Sequence, residues 1–187
     1  MGNPKQTLRF RGESLLRRAA LAALEAGCDP VVVVTGAHAE LSRRELDGLD
    51  VREALNIDWD TGMASSIRAG MGELIGTDPD VAAAVFLLCD QPHVDAGVIS
   101  GLVAAHRATE QPIIASAYGG GFGVPALFTR DLFPELTGLE GMSGAKEVIR
   151  RHAAEACLLP FQGGEVDVDT PDDFSRLLSK EEHNAET

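Results

Sequence analysis

Two short apolar runs constrain the fold most. Residues 31–34 are Val-Val-Val-Val, and residues 81–89 are Val-Ala-Ala-Ala-Val-Phe-Leu-Leu-Cys. Neither alternates with polar residues, so each reads as a strand covered on both faces, as strands of parallel sheets are. The segments between have helical spacing. Residues 13–26 carry Leu15, Leu16, Ala19, Ala20, Ala23 and Leu24 on one stripe, and Gly27 follows at a C-cap position. Helices are also expected over residues 41–49, 63–75, 94–106, 144–154 and 171–178, the last with Thr170 as N-cap and Pro171 at N1. Further strands are expected over residues 112–117, 124–129 and 156–161, with a glycine-rich turn at residues 119–123. This alternation predicts an α/β domain of three layers, a mostly parallel sheet with helices on both faces. Ligands bind such sheets at the carboxyl ends of the strands, which directs attention to the segments after Val34, Cys89 and Val168. With 187 residues there is room for one domain, residues 1–179, followed by a polar acidic tail at 180–187 that is expected to fray.

The formal charge of −13 argues against nucleic acid and anionic membrane surfaces as partners. A small anion such as a nucleotide remains compatible, because a metal ion reverses the sign at one site. Cys28, Cys89 and Cys157 are widely spaced, and no signal peptide is evident. That predicts reduced thiols, a cytoplasmic setting and no zinc site. No long exposed apolar stripe stands out, so a monomer is expected.

Six segments in order carry a resemblance. They are Met1-Gly2-Asn3-Pro4-Lys5; the basic stretch and helix of residues 8–18; Asn56, Trp59, Gly62, Met63, Ser66 and Ile67; Cys89-Asp90-Gln91-Pro92; Gly123-Val124-Pro125; and Asp167-Val168-Asp169-Thr170-Pro171-Asp172-Asp173. Together they resemble the molybdenum cofactor nucleotidyltransferases, with a Rossmann-like fold, and their cytidylyltransferase branch most closely. Members of that family open with a strand and the loop Leu-Ala-Ala-Gly-x-Ser-x-Arg-Met-Gly-x-x-Lys. Only the end of that loop is matched here, so the remainder is expected upstream of Met1. Gly141-Met142-Ser143-Gly144-Ala145 also stands where the family carries Gly-Asp-x-Gly-Ala.

The resemblance implies transfer of CMP from CTP to a molybdopterin-type cofactor, with Mg2+ and release of pyrophosphate. GTP is the nearest variant, and a non-catalytic binding or maturation role toward a molybdenum hydroxylase is the alternative from another class. Lys5 and Asp90 would be catalytic, and Asp90 and Asp169 would hold the metal. Lys5, Asn56, Gly62, Ser65 and Ser66 would bind the nucleotide, and Trp59, His93, Gly121, Gly123 and Pro125 the acceptor. Each also has a plainer structural reading. Asp90 could cap the turn before Pro92, and Asp169 or Thr170 the last helix. Lys5 could be solvated near a chain end, Trp59 could be packing, and the serines could be helix caps. Arg9 and Arg11 are weaker phosphate candidates, and Arg17 and Arg18 are expected to face water.

Overall fold

The computed structural model describes residues 4–185. A 3₁₀ turn at Lys5–Thr7 leads into the small hairpin β1 (Arg9–Phe10) and β2 (Glu13–Ser14). Then follow α1 (Leu15–Glu25), β3 (Val32–Thr35), α2 (Ala39–Glu45), β4 (Arg52–Leu55), a 3₁₀ turn at Trp59–Thr61, α3 (Met63–Thr77) and β5 (Ala83–Phe86). The second half contains α4 (Ala96–Thr109), β6 (Ile113–Tyr118), β7 (Gly121–Thr129), α5 (Phe133–Thr137), α6 (Ala145–Arg151), β8 (Ala156–Pro160) and α7 (Pro171–Ala185).

Local chemistry accounts for several boundaries. Ser14 caps α1 by accepting from the Arg17 N–H. Gly27, at φ +77°, closes its other end, with the Cys28 N–H donating to the Ala23 carbonyl as in a Schellman motif. Thr170 and Asp173 cap α7 reciprocally, side chain to backbone in both directions. α7 continues to Ala185.

The α/β class holds, but the sheet is mixed and interrupted. β3 pairs with β4 in parallel. A separate four-stranded sheet has the order β5-β7-β6-β8. β7 is antiparallel to both neighbours, because Gly119 and Gly120, at φ +55° and +74°, turn β6 straight back into it. Between Ala115 and Ser116 the register slips, and β7 bulges at Val124 and Pro125. That bulge is how a proline is tolerated inside a central strand. Ser116 and Tyr118 hydroxyls donate to the carbonyls of Pro125 and Val124 there. The bulge also explains why β5 ends at Phe86 rather than at Cys89: Phe86 pairs with Ala126, and the next position on β7 is the displaced Pro125.

The core follows from strand alternation. Ile113, Ala115, Ala126 and Phe128 face one helix layer with Ile67, Met71, Leu136, Val148 and Ile149. Ile114 and Leu127 face the other, under Leu102 of α4. Each such fully buried aliphatic contributes about 1.5–3 kcal/mol.

Candidate active site

The segments after β3, β4 and β5 meet at one rim. Asp90 lies four residues beyond the end of β5, and its carbonyl accepts from the Val168 N–H at 2.9 Å. That bond brings the stretch Asp167–Asp169 alongside it. The Lys5 ammonium donates to Asp90 Oδ2 at 2.6 Å and to Asp169 Oδ1 at 2.8 Å. The two carboxylates differ in environment: the Asp90 side chain is 15% exposed and that of Asp169 67%. Asp90 Oδ1 is buried and makes no hydrogen bond.

Charge at this rim is unbalanced, with Asp90, Asp167 and Asp169 against Lys5. Burial pushes the Asp167 carboxyl above the ordinary aspartate range, and the negative charges of Asp90 and Asp169 add to it. Burial alone would lower the Lys5 ammonium; its hydrogen bonds to Asp169 and Asp90 outweigh this and hold it above the ordinary lysine range. The Cys89 thiol is pushed up to about 11 by desolvation and by the Asp90 charge, both of which disfavour the thiolate.

The donor set fits a divalent cation of the magnesium kind. It offers one orphaned buried carboxylate oxygen and a second, solvent-facing carboxylate, and magnesium takes one or two carboxylates and completes its shell with water and phosphate oxygens. Among the described residues no group of three or more His, Cys, Asp or Glu is arranged to hold a metal unaided.

A second group of residues lies at the end of β4. The Asn56 amide donates to the Ser65 and Ser66 hydroxyls at 2.8 and 3.0 Å, and its oxygen accepts from the Asp58 N–H. Ser65 in turn donates to the Asp58 and Gly62 carbonyls. The serines therefore brace the turn onto α3. At this helix start the Ala64 N–H donates to the Gly141 carbonyl and Ser65 is buried. Gly62, at φ +118°, lies where a Cβ would stand 2.4 Å from that same carbonyl oxygen. A Cβ on Gly144 would meet the Met63 sulfur at 2.5 Å. The Asn56–Ile67 and Gly141–Ala145 motifs are thus packed on each other.

Beside them Trp59 is half-exposed and lies over Gly36, where an added Cβ would stand 2.8 Å from its own. Ile57, Met63 and Met142 are also exposed, and with Trp59 they give this part of the rim an apolar character. His93 sits elsewhere, edge-on to Phe10 and against Gly163. Pro125 is fully buried and cannot touch an acceptor. Gly123 packs on the Tyr118 hydroxyl, and Gly121 is exposed at the hairpin end. Arg17 and Arg18 do not simply face water: Arg17 donates to the Glu45 and Asp47 carbonyls, and Arg18 lies over the Phe10 ring and donates to the Pro92 carbonyl. Arg9 pairs with Glu45.

Gln91 was visible in sequence only as part of a motif. It is buried and donates to the Gly164 carbonyl at 3.1 Å, tying Asp90 to the turn that leads to Asp167. A cavity of about 300 Å³ opens at the opposite, amino ends of β3 and β4, bordered by Val31, Arg52, Thr77 and Asp78, and takes no part in this rim.

The profile of the MobA-like NTP transferase domain matches residues 1–156. The chain belongs to that family. Among relatives of the MobA-like domain, nicotine blue oxidoreductase of Paenarthrobacter nicotinovorans is 30% identical over 186 residues, covering 94% of this chain and 88% of that protein. Purine catabolism protein PucB of Bacillus subtilis is 29% identical over 189 residues, covering 95% and 89%. The crystal structure of Rv0371c from Mycobacterium tuberculosis superposes with a TM-score of 0.77 at 30% identity, covering 96% of this chain and 91% of that one. Another structure of Rv0371c is a complex with manganese. The chain is therefore a nucleotidyltransferase-type domain, and no helix among its described residues is long and apolar enough to cross a membrane.

Proposed function

We propose that this MobA-like domain transfers CMP from CTP to a molybdopterin-type acceptor. An acceptor phosphate oxygen attacks the α-phosphorus, a new P–O bond forms, the bond to the bridging α–β oxygen breaks, and pyrophosphate leaves. The observation that carries this reading is the Lys5–Asp90–Asp169 contact, with Asp90 Oδ1 left without a partner. Asp90 and Asp169 would hold Mg2+, which when bound neutralises charge on the phosphate oxygens. Lys5, one short contact from both carboxylates, is within reach of the same phosphates and adds a second positive charge. Manganese in the Rv0371c complex supports a divalent-cation site in a relative. The apolar side of the rim, Trp59 with Met63 and Met142, suits a flat heterocycle stacked on the indole. Met142, 80% exposed, neither accepts a charged hydrogen bond nor ligates magnesium, so acceptor recognition there rests on apolar contact.

The test is pyrophosphate release with molybdopterin, Mg2+ and each of CTP, GTP, ATP and UTP. CTP should be preferred by roughly tenfold or more over the other three. Release that requires no acceptor, or that is equal for all four nucleotides, would refute the cytidylyl reading.

A further inference from the structure

Asp169 is exposed, and its carboxylate contacts Lys5. Its place opposite Asp90 is set by the backbone that carries it. That backbone is the connector between β8 and α7, residues 161–170, which has no regular structure. Downstream, the Thr170–Asp173 cap fixes it to α7. Upstream, the Phe161 N–H donates to the Ala117 carbonyl and the Val168 N–H to the Asp90 carbonyl, both at 2.9 Å. Between these two tethers the Gly164 and Val166 N–H groups bond only within the connector, to the Phe161 and Gly163 carbonyls.

Gly164 is where this span is pressed hardest on the body of the protein. A Cβ there would stand 2.4 Å from the Phe161 ring and 2.5 Å from the Tyr118 ring. Its carbonyl accepts from the Gln91 amide at 3.1 Å. The same Gln91 nitrogen lies 3.4 Å from the Tyr118 hydroxyl, which donates to the Val124 carbonyl. Gln91 is 5% exposed, and its Oε1 is buried without a partner. Burying an amide with one end unmet costs stability, and an apolar chain of the same length would fill the space without that cost. Packing does not account for a glutamine here, whereas its donor end does.

We propose that Gln91 is a positioning residue for the divalent cation. Consecutive residues supply two tethers: the Asp90 carbonyl holds Val168, and the Gln91 side chain holds Gly164. Together they clamp the span that leads into Asp169, so the two carboxylates keep a fixed separation. Gln91 donates to neither carboxylate and acts through Gly164. This role deepens the proposed function and rests on its assignment of Asp90 and Asp169 as the metal ligands.

The test is binding of Mn2+ alone, followed by the EPR signal of the free ion. It compares the unaltered protein with Gln91→Met, Gln91→Asn, Asp169→Ala, Gln91→Met with Asp169→Ala, and Tyr118→Phe. Circular dichroism and thermal melting establish that each is folded. Gln91→Met keeps the length and removes the donor, and Gln91→Asn stays polar but is one methylene too short to reach Gly164. Each should bind Mn2+ about fivefold more weakly, the scale of one buried hydrogen bond. With Asp169→Ala already present, Gln91→Met should change the affinity by less than about twofold, because no second carboxylate is left to place. Tyr118→Phe breaks a hydrogen bond of the same network but leaves the Gly164 carbonyl bonded, and should stay within about twofold of the unaltered protein. The role of Gln91 is refuted if Gln91→Met and Gln91→Asn bind Mn2+ as the unaltered protein does, if Gln91→Met weakens binding equally with and without Asp169, or if Tyr118→Phe weakens it as much. If Asp169→Ala itself leaves the affinity unchanged, the metal assignment falls and the role of Gln91 falls with it.

Discussion

Lys5 is held by one part-buried and one exposed carboxylate, and it occupies the space between them that a divalent cation would take. Two consequences follow with opposite signs. Lys5→Met removes the competing ammonium, so Mn2+ alone should bind roughly fivefold more tightly than to the unaltered protein, the scale of one partly exposed ion pair. If Lys5 contacts the phosphates as proposed, the same substitution removes that cation, so CTP with Mn2+ should bind more weakly by a similar factor. Titration calorimetry measures both, and affinities that move in the same direction would refute the double role. The proximity itself was not legible from spacing, since Asp90 is 85 positions from Lys5 and Asp169 is 164. The placement of Asp90 beyond β5 was legible because a charged residue closes the apolar run of residues 81–89, although the strand itself ends four residues earlier at Phe86. Pro125 was misread because a Gly-x-Pro string looks the same whether it lines a pocket or forms a buried bulge.

Gly62 and Gly72 separate two roles of glycine at the level of the element. Gly62 starts α3 at positive φ against the Gly141 carbonyl, whereas a Cβ on Gly72 within the same helix meets nothing within 4 Å. Gly62→Ala should destabilise by roughly 2–4 kcal/mol, through strained backbone and forced separation of the two motifs. Gly72→Ala should stabilise by roughly 0.5–1 kcal/mol through helix propensity. Urea unfolding checks both, and equal shifts would mean that the Gly62–Gly141 contact is unimportant. The strongly periodic helices and the apolar strands were readable in sequence because burial writes itself as period and run. β4 was not, because Arg-Glu-Ala-Leu buries only Ala54 and carries no apolar run. α5 was not, because its five residues are too few to show a period. β7 begins three residues earlier than expected, since the hairpin needs only Gly119 and Gly120 for its turn.

At the scale of the whole molecule, a formal charge of −13 surrounds a rim that carries Asp90, Asp167 and Asp169. An anionic nucleotide binds such a molecule only where positive charge is concentrated, and under the proposed function that place is Lys5 with a divalent cation on Asp90 and Asp169. The three-layer arrangement was expected from the alternation of runs and periods. The antiparallel β7 was not, because strand order is set by pairings between distant segments. The most direct test is calorimetric titration of CTP, with and without Mg2+, into the unaltered protein and into Asp90→Asn. We expect one CTP per chain, binding only with Mg2+, and weaker by roughly tenfold or more in Asp90→Asn, whose fold is checked by circular dichroism. Binding that is indifferent to Mg2+, or equal in the two proteins, would contradict the assignment of this rim as the nucleotide site.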